Sequence, residues 1–427
     1  MPRPRVRPGW ASAMSGHFLV VLLLLSSCLG SLGVKEDQGR HAALPQAAAY
    51  SQFPAPEAAM ADIALAGGEV PLSLSDTLAI AGGMRFYPLV QCVPQMVVPK
   101  DTSFLGPLQK MQTGDVLQAF YRFKRSDCGV ASEAQGGGSS GGTTSSETRG
   151  GGDAAGSDGS SSSSSSAVPL LILLPGLGAA MSSFGPDLLG KLSCSREIVL
   201  MEQRGAALSV DYATEPLTYY TMADSVLQLA DALNLTQPDI LGWSTGGDIA
   251  LLLAALHGGR VGRVIALGAM GGGNRTVLPD LPDIFDPASF SRLSLAQQMA
   301  LLFPPQDLSF QSRVCEYLGA VVWMPNALTQ VNSSVQEAQY LADKEFTTVD
   351  PTVWDALPGI DTPVLLVTGT LDAVVPPVNT DLIAGQIPGA QVLRISGWGH
   401  GLVVGDAANQ LAQAVDSFLG PGDPGGP

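Results

Sequence analysis

The chain has 427 residues, 45% of them hydrophobic and 14% charged, and its formal net charge at pH 7 is −16. This length suffices for a complete hydrophobic core and one appended lid domain. The negative charge argues against a nucleic-acid-binding protein, because such proteins gather lysine and arginine against the phosphate backbone.

Residues 1–33 have the pattern of a secretory signal peptide. Arginines precede the apolar run 18–25, small residues follow it, and the first acidic residue is Glu36. The apolar run is short for a bilayer span. We therefore expect a secreted protein or one of the secretory pathway, with an uncleaved membrane anchor and an organelle transit peptide as alternatives. The Ala/Pro-rich residues 34–80 are expected to have little order.

Two antiparallel strands are predicted next, at Met84 to Val90 and at Val116 to Phe123. The following residues 129–166 are dominated by glycine, serine and threonine, and seven serines run consecutively from Ser160. Such a composition cannot bury apolar surface. It separates two strands of one predicted core, so we expect a disordered insertion that loops out of a single domain.

The next strand, Pro169 to Leu174, runs into the glycine loop Pro175-Gly176-Leu177-Gly178, and Glu202 ends the strand after it. Two glycines after a strand, with a downstream acid, also form part of a dinucleotide-binding fingerprint. The third glycine position holds Met181, however, where close helix packing requires a small residue. A dehydrogenase would also leave the serine, aspartate and histidine described below without a role.

Ser244 lies at the centre of the motif Gly242-Trp243-Ser244-Thr245-Gly246, between an apolar strand and an apolar helix. This is the context of a nucleophile elbow, a sharp strand-to-helix turn that exposes the serine hydroxyl. The turn places the Thr245 amide at a helix N-terminus, where N–H groups stabilise a developing oxyanion. The Leu177 amide in the glycine loop is the candidate for the second oxyanion donor.

A base and an orienting acid are required because a serine hydroxyl does not attack unaided. Asp372 is the first acid beyond the buried strand Pro363 to Gly369, at the strand end where α/β sheets place their sites. His400 follows the strand Gln391 to Ile395 in a glycine-flanked loop. We expect Ser244, His400 and Asp372 to act as nucleophile, base and acid.

Residues 271–358 have no parallel-strand pattern and follow the sixth predicted strand, Val261 to Gly268. We interpret them as a helical cap whose apolar side chains pack onto the core or line an acyl pocket. The candidate pocket residues are Phe285, Phe303, Trp323 and Met324.

Four cysteines follow the signal segment, and they allow three pairings: Cys92, Cys128, Cys194 and Cys315. A bridge between Cys92 and Cys128 would link the predicted N-terminal strands in an oxidising compartment. None of the four has metal-ligand spacing, so no metal is expected, and the chemistry predicted for Ser244, His400 and Asp372 implies no cofactor. Glycosylation motifs compatible with a secretory route occur at Asn234, Asn274 and Asn332.

These motifs together resemble the α/β-hydrolase superfamily, from about Met84 to Leu419. The match includes the glycine loop, the segment Glu202-Gln203-Arg204-Gly205, the elbow and the two downstream loops. Two departures leave the triad intact: Pro175 replaces a histidine found in many members, and Glu202 replaces an aspartate. The resemblance implies a mostly parallel eight-stranded sheet with helices on both faces, formed by residues 81–270 and 359–420. The cap is inserted after the sixth strand, and a disordered tail is expected at 421–427.

The resemblance also implies hydrolysis of small-molecule esters through an acyl-serine intermediate. An aminopeptidase of the same fold is an alternative, because it would bind a substrate ammonium with cap carboxylates such as Asp283, Glu316 or Glu337. A ligand-binding protein with little turnover is a second alternative. Membrane association is expected only if the N-terminal segment is uncleaved.

Overall fold

The computed structural model describes residues 72–84, 92, 101–125, 128, 170–323, 329 and 331–420. The predicted signal peptide, most of the predicted strand at Met84 to Val90, the insertion 129–166 and the tail 421–427 lie outside the described residues.

Within these described ranges, nine strands form one sheet in the order β1-β2-β4-β3-β6-β7-β8-β9, with β5 paired to β2. Their bounds are β1 Gln109–Thr113, β2 Val116–Phe123, β3 Leu170–Leu174, β4 Glu197–Met201, β5 Val210–Asp211, β6 Asp239–Trp243, β7 Val264–Leu267, β8 Val364–Gly369 and β9 Gln391–Ile395. Every pair from β4 to β9 is parallel, whereas β2 pairs antiparallel with β1, β4 and β5. The described part of the chain thus has one strand more than the expected eight, and the two-residue β5 is the shortest of the nine.

Among the described residues, β1 is the strand that pairs with β2 at this end of the sheet. The predicted strand at Met84 to Val90 lies almost entirely outside those residues and stays a prediction. Thr113 pairs with Val116 across a two-residue turn in which Gly114 has a φ of 56°. A tight hairpin requires such a positive φ, which glycine adopts without strain. The sequence of β1, Gln-Lys-Met-Gln-Thr, is largely polar, and four of its five residues are only partly buried or exposed, so hydrophobic patterning does not reveal it.

Eleven α-helices are present in the described residues. Their bounds are α1 Leu74–Gly83, α2 Pro186–Ser195, α3 Tyr219–Ala232, α4 Thr245–His257, α5 Pro287–Phe290, α6 Leu295–Ala300, α7 Phe310–Trp323, α8 Ser333–Thr348, α9 Thr352–Ala356, α10 Val378–Ala384 and α11 Gly405–Leu419. Within these ranges, none of the helices has both the length and the apolar character needed to cross a bilayer.

Helices cover both faces of the sheet, as the alternation of strand side chains requires. Leu171 and Leu173 of β3 belong to one apolar cluster with residues of α2 and α11. Ile172 and Leu174 of the same strand belong to a second cluster with residues of α3 and α4. Each face therefore contributes its own hydrophobic core, and the carboxyl ends of β3, β6, β8 and β9 meet at one edge.

The segment between β7 and β8 contributes helices α5 to α9, and its described residues include no strand. This agrees with the interpretation of residues 271–358 as a helical insertion after the sixth strand of the predicted core. It is anchored to the core in part by Trp354 and Val353 of α9, which pack in the cluster that includes α4.

Residues 74–80 correct the expectation of little order in the segment 34–80, because they belong to α1. The Ser73 side chain accepts a hydrogen bond from the Asp76 amide and caps the helix. Leu74 and Leu78, one turn apart, are buried in a cluster with cap residues such as Leu293. An N-terminal helix thus forms part of the cap's packing.

Two disulfide bonds join Cys92 to Cys315 and Cys128 to Cys194. The bridge between Cys92 and Cys128 considered from the sequence is therefore wrong. Cys315 lies on α7 of the cap and Cys194 lies on α2 of the core, so each bridge ties an N-terminal segment to a helix distant in sequence.

Candidate active site

Ser244 occupies a strained turn between β6 and α4. Its φ and ψ are 58° and −124°, in a region that non-glycine residues rarely adopt. A Cβ on Gly242 would overlap the Gly246 carbonyl, and one on Gly246 would overlap the Leu174 carbonyl. The two glycines of the motif therefore allow the strand, the turn and the helix to pack closely enough to form the elbow.

His400 and Asp372 form a buried pair, with 2.7 Å between His400 Nδ1 and Asp372 Oδ2. Their residues are only 4% and 1% exposed. The other carboxylate oxygen of Asp372 accepts hydrogen bonds from the Val374 and Val375 amides at 2.9 and 2.8 Å. The aspartate is thus fixed by its own loop and orients the imidazole through its second oxygen.

Two aromatic residues, Trp243 and Phe303, contact the loop that contains His400. Trp243 Nε1 donates a hydrogen bond to the His400 carbonyl at 2.9 Å, and the two rings lie 5.6 Å apart. Phe303 is fully buried next to Trp398 and Gly401. Phe303, a predicted pocket residue, therefore packs behind the loop and does not line the cavity described below. Trp243, in a variable position of the elbow motif, is a contributor that the sequence did not single out.

The two candidate oxyanion donors, Leu177 and Thr245, line the same cavity as Ser244 and His400. The Thr245 amide lies in the first turn of α4, where N–H groups have no intrahelical acceptor. Among the described residues, the Leu177 amide donates no hydrogen bond to a protein acceptor. Both amides are therefore available to a ligand oxygen.

Side chains from the segment after β4 and from the cap hold the glycine loop in place. Gln203 Nε2 donates to the Pro175 carbonyl at 2.9 Å, and Gln339 Oε1 of α8 accepts from the Gly178 amide at 2.9 Å. Gln339 is fully buried, so the cap contributes directly to the geometry of the candidate oxyanion hole. Sequence analysis did not identify Gln339.

Glu202 accepts a hydrogen bond from the Met181 amide at 2.9 Å and is almost completely buried. Burial raises the pKa of Glu202 to about 8, although the Met181 amide opposes this shift. The carboxyl group is thus occupied in fixing the helical turn after the glycine loop. This structural use is at odds with the ribose-binding role that a dinucleotide fingerprint would assign to it.

The cavity over Ser244 has a volume of about 410 Å³. Its wall is mostly apolar, with side chains from the core loops and the cap, including Met270, Phe285, Phe290, Met299, Leu301, Leu302, Tyr317, Val321, Val374 and Val375. Phe285 is thus the predicted pocket residue found at the wall. Trp323 is the last residue of α7, but its side chain lies outside the described part of the structure, as does the whole of Met324.

Asp343 of α8 is the one carboxylate among the described lining residues. The Tyr219 hydroxyl donates a hydrogen bond to its Oδ1 at 2.7 Å. Burial raises the pKa of Asp343 to about 6, and the Tyr219 hydrogen bond opposes the shift. A sequence signal for it exists, since Gln336, Gln339 and Asp343 recur at helical spacing along one face of α8.

The three cap carboxylates considered for an aminopeptidase do not line this cavity. Asp283 is 66% exposed at its side chain and forms hydrogen bonds with Tyr340 and Lys344. Glu316 lines a separate cavity beside Trp398, and Glu337 is exposed. In the described part of the chain, no three His, Cys, Asp or Glu side chains are grouped as metal ligands would be.

The chain is similar to several known proteins. A relative from Caulobacter sp. (strain K31), named putative carbamate hydrolase RutD, is 28% identical over 260 residues, covering 58% of this chain and 90% of the relative. A pimeloyl-[acyl-carrier protein] methyl ester esterase from Neisseria meningitidis (serogroup C) is 27% identical over 247 residues, covering 55% and 87%. A solved hydrolase from Pseudomonas aeruginosa PA01 superposes with a TM-score of 0.53 at 20% identity, covering 74% of this chain and 99% of that one.

The family model described as the alpha/beta hydrolase fold matches residues 169–407, which include the glycine loop, the elbow, the cap and the loops of Asp372 and His400. This match covers more than half of the chain. The protein is therefore a member of the alpha/beta hydrolase family.

Proposed function

We propose that the protein is a serine hydrolase that cleaves carboxylic esters through an acyl-serine intermediate. The observation that carries the proposal is the convergence of Ser244, His400 and the two free amides on one cavity. The buried Asp372 orients His400 from behind. This is the set of parts that nucleophilic acyl transfer requires: a nucleophile, an oriented base and oxyanion donors.

In the proposed mechanism, His400 takes the Ser244 proton at Nε2 as the hydroxyl oxygen attacks the ester carbonyl. Asp372 keeps the other ring proton on Nδ1 and stabilises the imidazolium that forms. The Leu177 and Thr245 amides bind the oxyanion, and each such donor is typically worth about 3 kcal/mol of transition-state stabilisation. The alcohol leaves with the proton from His400, and water then hydrolyses the acyl-enzyme by the same route. The steps call for no cofactor.

The preference for an ester over a peptide bond rests on the cavity and on the relatives. The wall is mostly apolar, which suits an acyl chain. One relative is named a methyl ester esterase and another a putative carbamate hydrolase, and neither name refers to peptides. The three cap carboxylates that the sequence offered for the aminopeptidase alternative do not line the cavity, and Asp343 is the one cap carboxylate that does among the described residues. The proposed substrate is a small-molecule ester.

The test is labelling of the purified protein with a fluorophosphonate probe, followed by turnover of a chain-length series of methyl esters. Wild type should be labelled and should hydrolyse at least one ester, whereas Ser244→Ala should do neither. Faster turnover of aminoacyl amides than of esters would move the assignment to the aminopeptidase. Absence of both labelling and turnover in folded wild type would favour a ligand-binding protein.

We further propose that the protein is exported. Two disulfide bonds support export, because such bonds persist in oxidising compartments. The three asparagines of the glycosylation motifs are exposed, which fits the glycoprotein expectation. N-terminal sequencing of the mature protein and a mobility shift after glycosidase treatment test these points. An intact N-terminus in the membrane fraction would support the anchor instead.

A further inference from the structure

Asp343 places a carboxylate in a mostly apolar active-site cavity, close enough to the buried Asp248 to help raise the pKa of that residue. Asp343 is half-buried at the wall, and among the described residues no lysine or arginine forms an ion pair with it. Its only side-chain hydrogen bond in that part of the chain comes from Tyr219, which engages Oδ1 alone. The carboxylate therefore has acceptor capacity left on the side of the cavity.

The position of this carboxylate is fixed from behind. Tyr219 is 2% exposed, and its ring stacks on Phe346 with 4.0 Å between centroids and 4° between planes. Both Phe346 and Asp343 belong to α8, so the same helix holds the tyrosine and the carboxylate that the tyrosine binds. The charge is thus held in place before any ligand arrives, which lowers the entropic cost of binding one.

An ionised carboxylate in such surroundings is unfavourable unless a positive charge compensates for it. With a pKa of about 6, raised by burial, Asp343 is mostly ionised at neutral pH. The aromatic residues Phe285, Phe290 and Tyr317 line the same cavity, and aromatic faces attract cations. The cavity therefore combines an uncompensated negative charge with surfaces that accept organic ammonium groups.

We propose that Asp343 is a specificity residue that binds a positively charged amine or quaternary ammonium group of the substrate. The inference deepens the proposed esterase function and rests on it, because it concerns the ester that the same cavity accepts. The cation would lie on the acyl or the alcohol part of the ester, within the cavity over Ser244.

Two pairs of esters of similar size test this with the full-length protein. Choline butyrate and 3,3-dimethylbutyl butyrate differ only in the charge of the alcohol part. Methyl 6-aminohexanoate and methyl heptanoate differ in the terminal ammonium of the acyl part. Wild type should prefer the cationic member of at least one pair by about tenfold or more in kcat/KM, as one compensated charge pair implies. In Asp343→Asn this ratio should fall by at least the same factor, mainly through KM.

Asp350→Asn is a matched control, because Asp350 accepts a hydrogen bond from Tyr220 at 2.6 Å just beyond the end of α8 but does not line the cavity. Its substrate ratio should equal that of wild type. A wild-type preference for the neutral member of both pairs, or a ratio unchanged in Asp343→Asn, would overturn the inference while leaving an active, labelled esterase. If no ester is cleaved at all, the same pairs are compared by calorimetric binding to Ser244→Ala. Equal affinity for both members would then overturn it.

Discussion

Asp372 uses its two carboxylate oxygens for different tasks. One oxygen holds the Val374 and Val375 amides, and the other holds His400 Nδ1. In Asp372→Asn the amide oxygen can keep the first task, but its NH₂ group faces Nδ1 and favours the wrong imidazole tautomer. We expect kcat for esters to fall by about 10⁴-fold with little change in melting temperature. Steady-state kinetics and thermal unfolding measure the two effects, and a fall of less than tenfold would contradict the role of Asp372.

Glu202 gives a prediction about stability and pH. Its pKa is raised to about 8 in the folded protein, above the value near 4.3 in an unfolded chain, so the folded state binds the extra proton. This proton's contribution to the free energy of unfolding is complete below about pH 4 and is lost as pH rises toward 8. The free energy of unfolding then falls by at most about 1.4 kcal/mol per pH unit. Glu202→Gln keeps an acceptor for the Met181 amide but removes this titration.

The free energy of unfolding should therefore decline less between pH 5 and 8 in Glu202→Gln than in wild type. Urea unfolding at several pH values measures it. Asp248 is also buried, with a pKa raised to about 8 by burial, so a residual decline is expected in both proteins. Parallel curves for the two proteins would show that Glu202 does not titrate as described.

Residues at strand ends were predictable, whereas residues on the cap were not. Ser244, Asp372, His400 and the two amide donors each follow a parallel strand, and parallel strands bring their carboxyl ends to one edge. Asp343 and Gln339 reach the same site from α8. Their helical spacing places them on one face of that helix, but the position of this face over the sheet depends on tertiary packing. The same limit explains Phe303, since a buried aromatic residue near a site can point to either side of a loop.

At the scale of elements, strongly apolar segments were located closely. The predicted strands at Val116 to Phe123 and at Gln391 to Ile395 have the observed bounds of β2 and β9. The polar strand β1 could not be predicted from hydrophobicity, because a strand at a sheet edge packs against few neighbours and has few buried apolar side chains. Helix α1 was missed because its surroundings in the sequence are rich in alanine and proline, although its leucines have helical spacing.

Helix α1 supports the site from outside. Leu78 is 5% exposed and shares a cluster with Met270, Val374 and Val375, which line the cavity. Leu78→Ala should lower the free energy of unfolding by about 2 to 4 kcal/mol. It should also reduce ester turnover, because Val374 and Val375 fix Asp372. Met84→Ala at the end of the helix, 37% exposed, is the control and should change neither. Chemical unfolding measures the change in stability, and kcat/KM measures the change in ester turnover. Equal effects of both substitutions would argue against the packing of Leu78 beside the cavity.

For the whole molecule, the sequence predicted the order of core, cap and core but not the covalent links between them. Disulfide pairing depends on which segments become neighbours in space, and four cysteines allow three pairings. The observed bridges span 223 and 66 residues. The longer bridge links an N-terminal segment to the cap. The shorter bridge links Cys128, a few residues after β2, to α2.

The two bridges should differ in what their loss does to the enzyme. Replacing either pair by serine should lower the free energy of unfolding by about 2 to 5 kcal/mol, because the unfolded chain regains freedom. Loss of the Cys92–Cys315 bridge should in addition raise KM for esters, since Tyr317, two residues along α7, lines the cavity. Loss of the Cys128–Cys194 bridge should leave KM unchanged, because α2 contributes no residue to that wall. Urea unfolding and ester kinetics on both double variants measure this contrast. A rise in KM for both, or for neither, would mean that the bridge to α7 does not control the position of the cap.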